Sequence, residues 1–187
     1  MSNLIKLLSI LVILCFTYGY TLNNSKSDDK KHGYVGADQC KMCHNSDKAG
    51  KQYTIWKGTK HSQAYDALKT EKADELAKAK GFKTKAVETK ECLKCHVSGY
   101  DIAASLKGPK FKVEDGVQCE TCHGPGSDYQ KFSIMKDREK AVANGLFIPK
   151  DIEKFCIGCH NSESPTFKSF NFAEAWSKIK HDIPKTN

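Results

Sequence analysis

CKMCH from Cys40 to His44, CLKCH from Cys92 to His96, CETCH from Cys119 to His123 and CIGCH from Cys156 to His160 repeat one pattern, Cys-x-x-Cys-His, four times in the chain. Two cysteines so spaced can each form a thioether to a vinyl group of one porphyrin. The histidine that follows then sits beneath the iron as its proximal ligand. The pattern is the attachment motif of c-type haem. It takes up eight of the nine cysteines, namely Cys40, Cys43, Cys92, Cys95, Cys119, Cys122, Cys156 and Cys159. Four of the seven histidines, His44, His96, His123 and His160, become proximal iron ligands. Structural zinc and a disulfide framework also use paired cysteines, but neither calls for a histidine in every copy. Four covalently attached c-type haems are the expected cofactors.

A chain of 187 residues bounds the architecture to one domain and a leader. Hydrophobic residues make up only 39%, and part of that lies in the first twenty positions, which leaves little for an ordinary core. Porphyrin faces would supply the missing apolar surface. The expected fold is mainly α with extensive irregular loops and few or no strands, wrapped around four haems.

The formal charge of +8 invites a nucleic-acid or membrane-surface reading. Eight haem propionates would offset it, bringing a mature holoprotein to about −1 reduced and about +3 oxidised. No nucleic-acid partner is expected. Redox protein donors and acceptors are, and a lysine-rich patch suits docking of an acidic one.

Lys6 precedes an apolar run from Leu7 to Phe16, broken only by Ser9, and Thr17-Tyr18-Gly19 offers small residues for cleavage. Residues 1–19 are expected to be a signal peptide, and the ninth cysteine, Cys15, falls inside it. Export agrees with haem attachment, so a periplasmic or otherwise exported location is expected. Membrane contact arises only if the leader stays uncleaved. Residues 20–33, which include NNSKSDDKKHG, read as a flexible linker, and 34–187 as the tetrahaem domain.

Helical spacing predicts a helix from about Ser62 to Lys80, with Ser62 as its cap, Tyr65, Leu68, Leu76 and Ala79 near one face, and Gly81 as its stop. Others are predicted from Ser133 to Ala143 and from Phe172 to about Lys180, the latter followed by His181 and Pro184. Residues 99–117 read as loop. Outside the motifs only His32, His61 and His181 remain, so four bis-histidine haems cannot form within one chain. One haem at least must be open, ligated by another residue type, or ligated by a second chain.

The run CKMCH…WKGTKHSQAY, then CLKCHVSGY, GVQCETCHGPG and CIGCH…SPTFKSFNF, resembles the tetrahaem cytochrome c-554 family over residues 34–184. CETCHGPG and the Trp-Lys-x-Thr-x-His element carry the resemblance more specifically than the haem motifs. It implies a multihaem cytochrome c fold with haems in close pairs, acting as a periplasmic electron carrier. It implies further that His61 is the distal ligand of the haem on His160, and His181 that of the haem on His123. The haem on His96 resembles one that the family leaves five-coordinate. For the haem on His44 the family draws a distal histidine from the stretch after Gly124-Pro125-Gly126, which here contains none. Met135 lies in that stretch and is the leading candidate for a thioether ligand, with His32 as its rival.

Carriage of single electrons between redox partners needs only these residues. Two alternatives follow from an iron without a sixth ligand: a haem enzyme acting on nitric oxide, nitrite or hydroxylamine, or a haem-filament subunit.

Overall fold

The computed structural model describes residues 32–181. The expected signal peptide, most of the expected linker, and Pro184 lie outside the described residues. Among the described residues ten α-helices follow one another: α1 Ala37–His44, α2 Gln52–Lys57, α3 Ala64–Ala67, α4 Glu71–Ala79, α5 Lys90–His96, α6 Cys119–His123, α7 Phe132–Met135, α8 Arg138–Ala143, α9 Ile152–Ile157 and α10 Phe172–Ile179. Four single-turn 3₁₀ segments interrupt the loops. Among the described residues the only extended pairing is an isolated bridge between Tyr34 and Lys107. The fold is mainly α, as expected.

The predicted helix from Ser62 to Lys80 is three pieces. His61–Gln63 is a 3₁₀ turn, α3 follows, and α4 starts afresh after Thr70, whose side chain accepts a hydrogen bond from Ala73 N–H at 3.2 Å. Thr70 is therefore the cap. Ser62 is buried, and its hydroxyl serves the Lys57 and Thr59 carbonyls instead. The break has a tertiary cause, because Val117 N–H takes the His61 carbonyl at 2.9 Å and the 3₁₀ turn forms around that contact. Ala77, not Ala79, is the buried residue of α4. Its end at Gly81 is as predicted: Phe82 N–H bonds to Ala77 and Gly81 N–H to Lys78, the paired closure of a helix C-terminus.

Ser133–Ala143 is likewise two helices, α7 and α8, because the Asp137 side chain caps Lys140 N–H at 3.1 Å and starts a new turn. Local capping by a short polar side chain wins here over apolar periodicity. α10 matches its prediction, capped by Asn171 on Glu174 N–H. Its regular path stops at Lys180, whose backbone is extended (φ −59°, ψ 143°), so His181 leaves the helical spiral. Residues 99–117 form the expected loop, tied down by Tyr34, which donates N–H to Leu106 and accepts from Gly108, each at 2.7 Å.

The chain's own apolar interior is small. Seven hydrophobic residues are buried, four of them alanine, and Leu68, Ala77 and Ala86 form one cluster with Phe82, Val87 and Leu93 against it. The largest fully buried side chains are polar: Gln118, Glu120 and Ser98. Burial of this kind leaves much of the free energy of folding to other contacts.

Candidate functional site

Each attachment motif sits at the C-terminal end of a short helix. Motifs one, two and three close α1, α5 and α6; motif four straddles the end of α9, where Cys159 and His160 both donate N–H to the Cys156 carbonyl. Helical spacing is what makes the pentapeptide work. Residues three and four apart share one face, so both sulfurs and the imidazole of each motif project together. Among the described residues no three His, Cys, Asp or Glu side chains from different motifs converge.

Neighbouring motifs touch in a definite order. Cys40 and Cys119 lie side by side, so motif one lies against motif three; that neighbour, then burial, holds Cys40 well above its ordinary value. Burial, with Cys156 and Cys119 nearby, pushes Cys122 up to about 11, which sets motif three beside motif four. Cys159 is pushed up to about 12 by burial and by its neighbour Cys95, so motif four meets motif two. Other contacts agree. Phe147 N–H bonds to the His123 carbonyl at 2.8 Å while its ring packs on Phe155 of α9 at 5.7 Å. Lys94 within motif two pairs with Glu163 after motif four at 2.5 Å. The spatial order is one, three, four, two.

Two histidine rings from outside the motifs face motif histidines. His61 lies opposite His160 with ring centroids 6.0 Å apart, and His181 opposite His123 at 5.9 Å. Two imidazoles sharing one metal through nitrogens at about 2.0–2.1 Å would have centroids about 6 Å apart. These separations fit an iron between the rings better than direct packing, which brings Phe170 to 4.6 Å from His160. Burial, and the facing His160, lower the pKa of His61; burial, then His181 and His44, bring that of His123 down to about 4. Both rings are thus neutral at pH 7, with a lone pair for a metal.

The Trp-Lys-x-Thr-x-His element explains how His61 is held. Trp56 Nε1–H donates to the Val117 carbonyl at 2.7 Å, while Val117 N–H donates to the His61 carbonyl. Thr59 Oγ1–H donates to the Trp56 carbonyl at 2.7 Å and tightens the turn between them. His96 is oriented from its other side: Nδ1–H donates to the Ala64 carbonyl at 2.7 Å, leaving Nε2 for a metal. Among the described residues no second histidine ring stacks opposite His96 or His44 in the manner of the two pairs. Met135 closes α7, half-buried.

A buried polar spine, which the sequence did not single out, locks motif three to the segment entering motif one. Glu120 accepts N–H bonds from Val35 and Gly36 at 2.8 Å and from Gly126 at 2.7 Å. Burial raises its pKa, and the three donors oppose that. Gln118 accepts from Ala37 N–H at 2.9 Å and donates to the Lys112 carbonyl at 2.7 Å. Gly124 passes so close to Gly145 that a Cβ would stand 2.7 Å from its carbonyl oxygen, which requires glycine at that turn (φ +75°). The only signal in sequence was the run CETCHGPG itself, whose intervening residues prove structural.

The described residues thus fit c-type haem in three respects: facing rings at metal-sharing distance, motifs shaped by helical spacing, and a chain-built core too small to stand alone. Residues 39–124 match the family model described as cytochrome c554 and c-prime, which supports a cytochrome c554 family assignment. No curated protein matches the chain, and no solved structure does.

Proposed function

We propose, from the premise that this chain belongs to the cytochrome c554 family of c-type cytochromes involved in electron transfer, that it is an exported four-haem carrier of single electrons between redox proteins. A c-type haem supplies a one-electron couple at its iron, at a potential set by axial ligands and burial. This chain's residues bind and orient four such groups. Cys40 and Cys43, Cys92 and Cys95, Cys119 and Cys122, and Cys156 and Cys159 anchor them; His44, His96, His123 and His160 ligate from the proximal side. His61 and His181 ligate from the distal side above His160 and His123.

The observation that carries the reading is the continuous order of motifs one, three, four and two, in which Cys40 lies beside Cys119 and Cys95 beside Cys159. The ends of that order, motifs one and two, suit exchange with partners, and the middle suits passage. Cytochrome c family members are typically exported, and no helix among the described residues is long and apolar enough to cross a membrane.

Intact mass of the protein, secreted from a host with haem-maturation machinery, tests the reading. Four haem additions are expected, together with reversible uptake of four electrons in a redox titration. Fewer additions, or zinc in their place, would overturn it.

A further inference from the structure

His32 was expected at the end of a flexible linker, yet several contacts fix it. Its Nδ1 lies 2.6 Å from Asp128 Oδ2. Gly33 donates N–H to Ser127 Oγ at 2.9 Å and accepts from Ser127 N–H at 3.0 Å. Ser127 Oγ–H in turn donates to the Asp128 carboxylate at 3.1 Å, which steadies the acceptor. The imidazole lies on the backbone of Gly145 (φ +101°), where a Cβ would stand 2.8–3.0 Å from three ring atoms. Only glycine leaves room for the ring there.

A carboxylate can only accept, so in the neutral ring Nδ1 carries the proton and Nε2 keeps its lone pair. A histidine that donates one nitrogen to a carboxylate and offers the other to a metal is oriented in the way ligating histidines are. His61 and His181 already face His160 and His123, which leaves the irons above His44 and His96. His96 lies at the opposite end of the motif order, bonded to Ala64. The His32 segment instead runs along motif three through Glu120 and Gln118 and enters α1, and with it motif one, directly. Met135 has no comparable support: its sulfur makes no hydrogen bond among the described residues.

We propose that His32, oriented by Asp128 and seated on Gly145, is the distal axial ligand of the haem attached at Cys40 and Cys43. The proposal rests on the four-haem reading. It makes three of the four sixth ligands histidine, and it gives Asp128 the role of a positioning residue.

The test uses the four-haem holoprotein and its optical and electron paramagnetic resonance spectra. The wild type should show three low-spin bis-histidine haems; only two would overturn the proposal. His32→Gln keeps a donor for Asp128 but cannot ligate through imidazole, so it should convert one low-spin haem to high-spin, reversibly on adding imidazole. Met135→Ala should change no spin state. Asp128→Asn should leave that haem low-spin and raise its potential, because a weaker acceptor makes His32 a less basic ligand. Four haems by mass with a His32→Gln spectrum like the wild type would reduce His32 to a structural clasp and overturn the proposal. Fewer than four haems in the wild type would instead overturn the reading beneath it.

Discussion

The middle of the motif order and its two ends solve one half of the ligation problem identically and the other half differently. In all four motifs spacings of three and four residues bring two cysteines and a histidine together at the end of a short helix. At the middle sites, His123 and His160, a second ring stands about 6 Å away, held by elements remote in sequence. At the ends, His44 and His96, no ring is stacked in that way among the described residues. The motif histidines are placed locally by a pentapeptide, whereas the rings that face two of them are placed by the fold.

The difference can be broken at either half. The largest effect is expected from removing a local anchor: Cys119→Ser with Cys122→Ser should delete the haem of motif three, seen as one lost addition by mass. Because that motif touches both one and four, and because cofactor binding is linked to folding, cooperative thermal unfolding should be lost as well. Next comes the distal half. His61→Ala should leave four haems attached but open the iron above His160, turning one low-spin signal high-spin and raising its potential. Unchanged spectra would mean that the facing rings merely pack.

How much of this could be read from the sequence follows the same division. The motifs and the mainly α class rest on spacings of three and four residues, so they were legible without a fold. Helix ends were less so. Thr70 and Asp137 are ordinary polar side chains inside periodic stretches, and only the backbone N–H groups beside them reveal that each starts a new turn. His32 was named only as a rival to Met135, and the contacts that hold it were illegible. It sits in a polar stretch with no period, and what fixes it comes from Ser127, Asp128 and Gly145, far along the chain. Glu120 was hidden differently, as an anonymous residue within a motif whose chemistry drew attention elsewhere.

A smaller effect should come from that buried spine. Glu120→Gln replaces one acceptor oxygen with a donor facing N–H groups of Val35, Gly36 or Gly126, and should cost about 1–3 kcal/mol in denaturant unfolding. The loss should fall on the end that holds motif one and spare the spectra of motifs two and four. Its pH dependence has a definite sign. Burial raises the Glu120 pKa, so the wild type is favoured at pH below the ordinary carboxylate value, and this contribution declines as pH rises from there through the raised value. Glu120→Gln should flatten that decline in a stability-versus-pH series. The smallest effect belongs to the surface contact between motifs two and four. Lys94 and Glu163 are exposed, so Lys94→Ala should change stability by about 0–1 kcal/mol and leave all haem signals in place.

The contrast between middle and ends is tested most directly by carbon monoxide titration of the fully reduced holoprotein, which counts irons without a firmly held sixth ligand. One carbon monoxide per protein is expected, at the iron above His96, with His61, His181 and His32 keeping the others closed. Uptake of three or four would mean that the rings facing His160 and His123 do not hold iron, and would contradict the central claim.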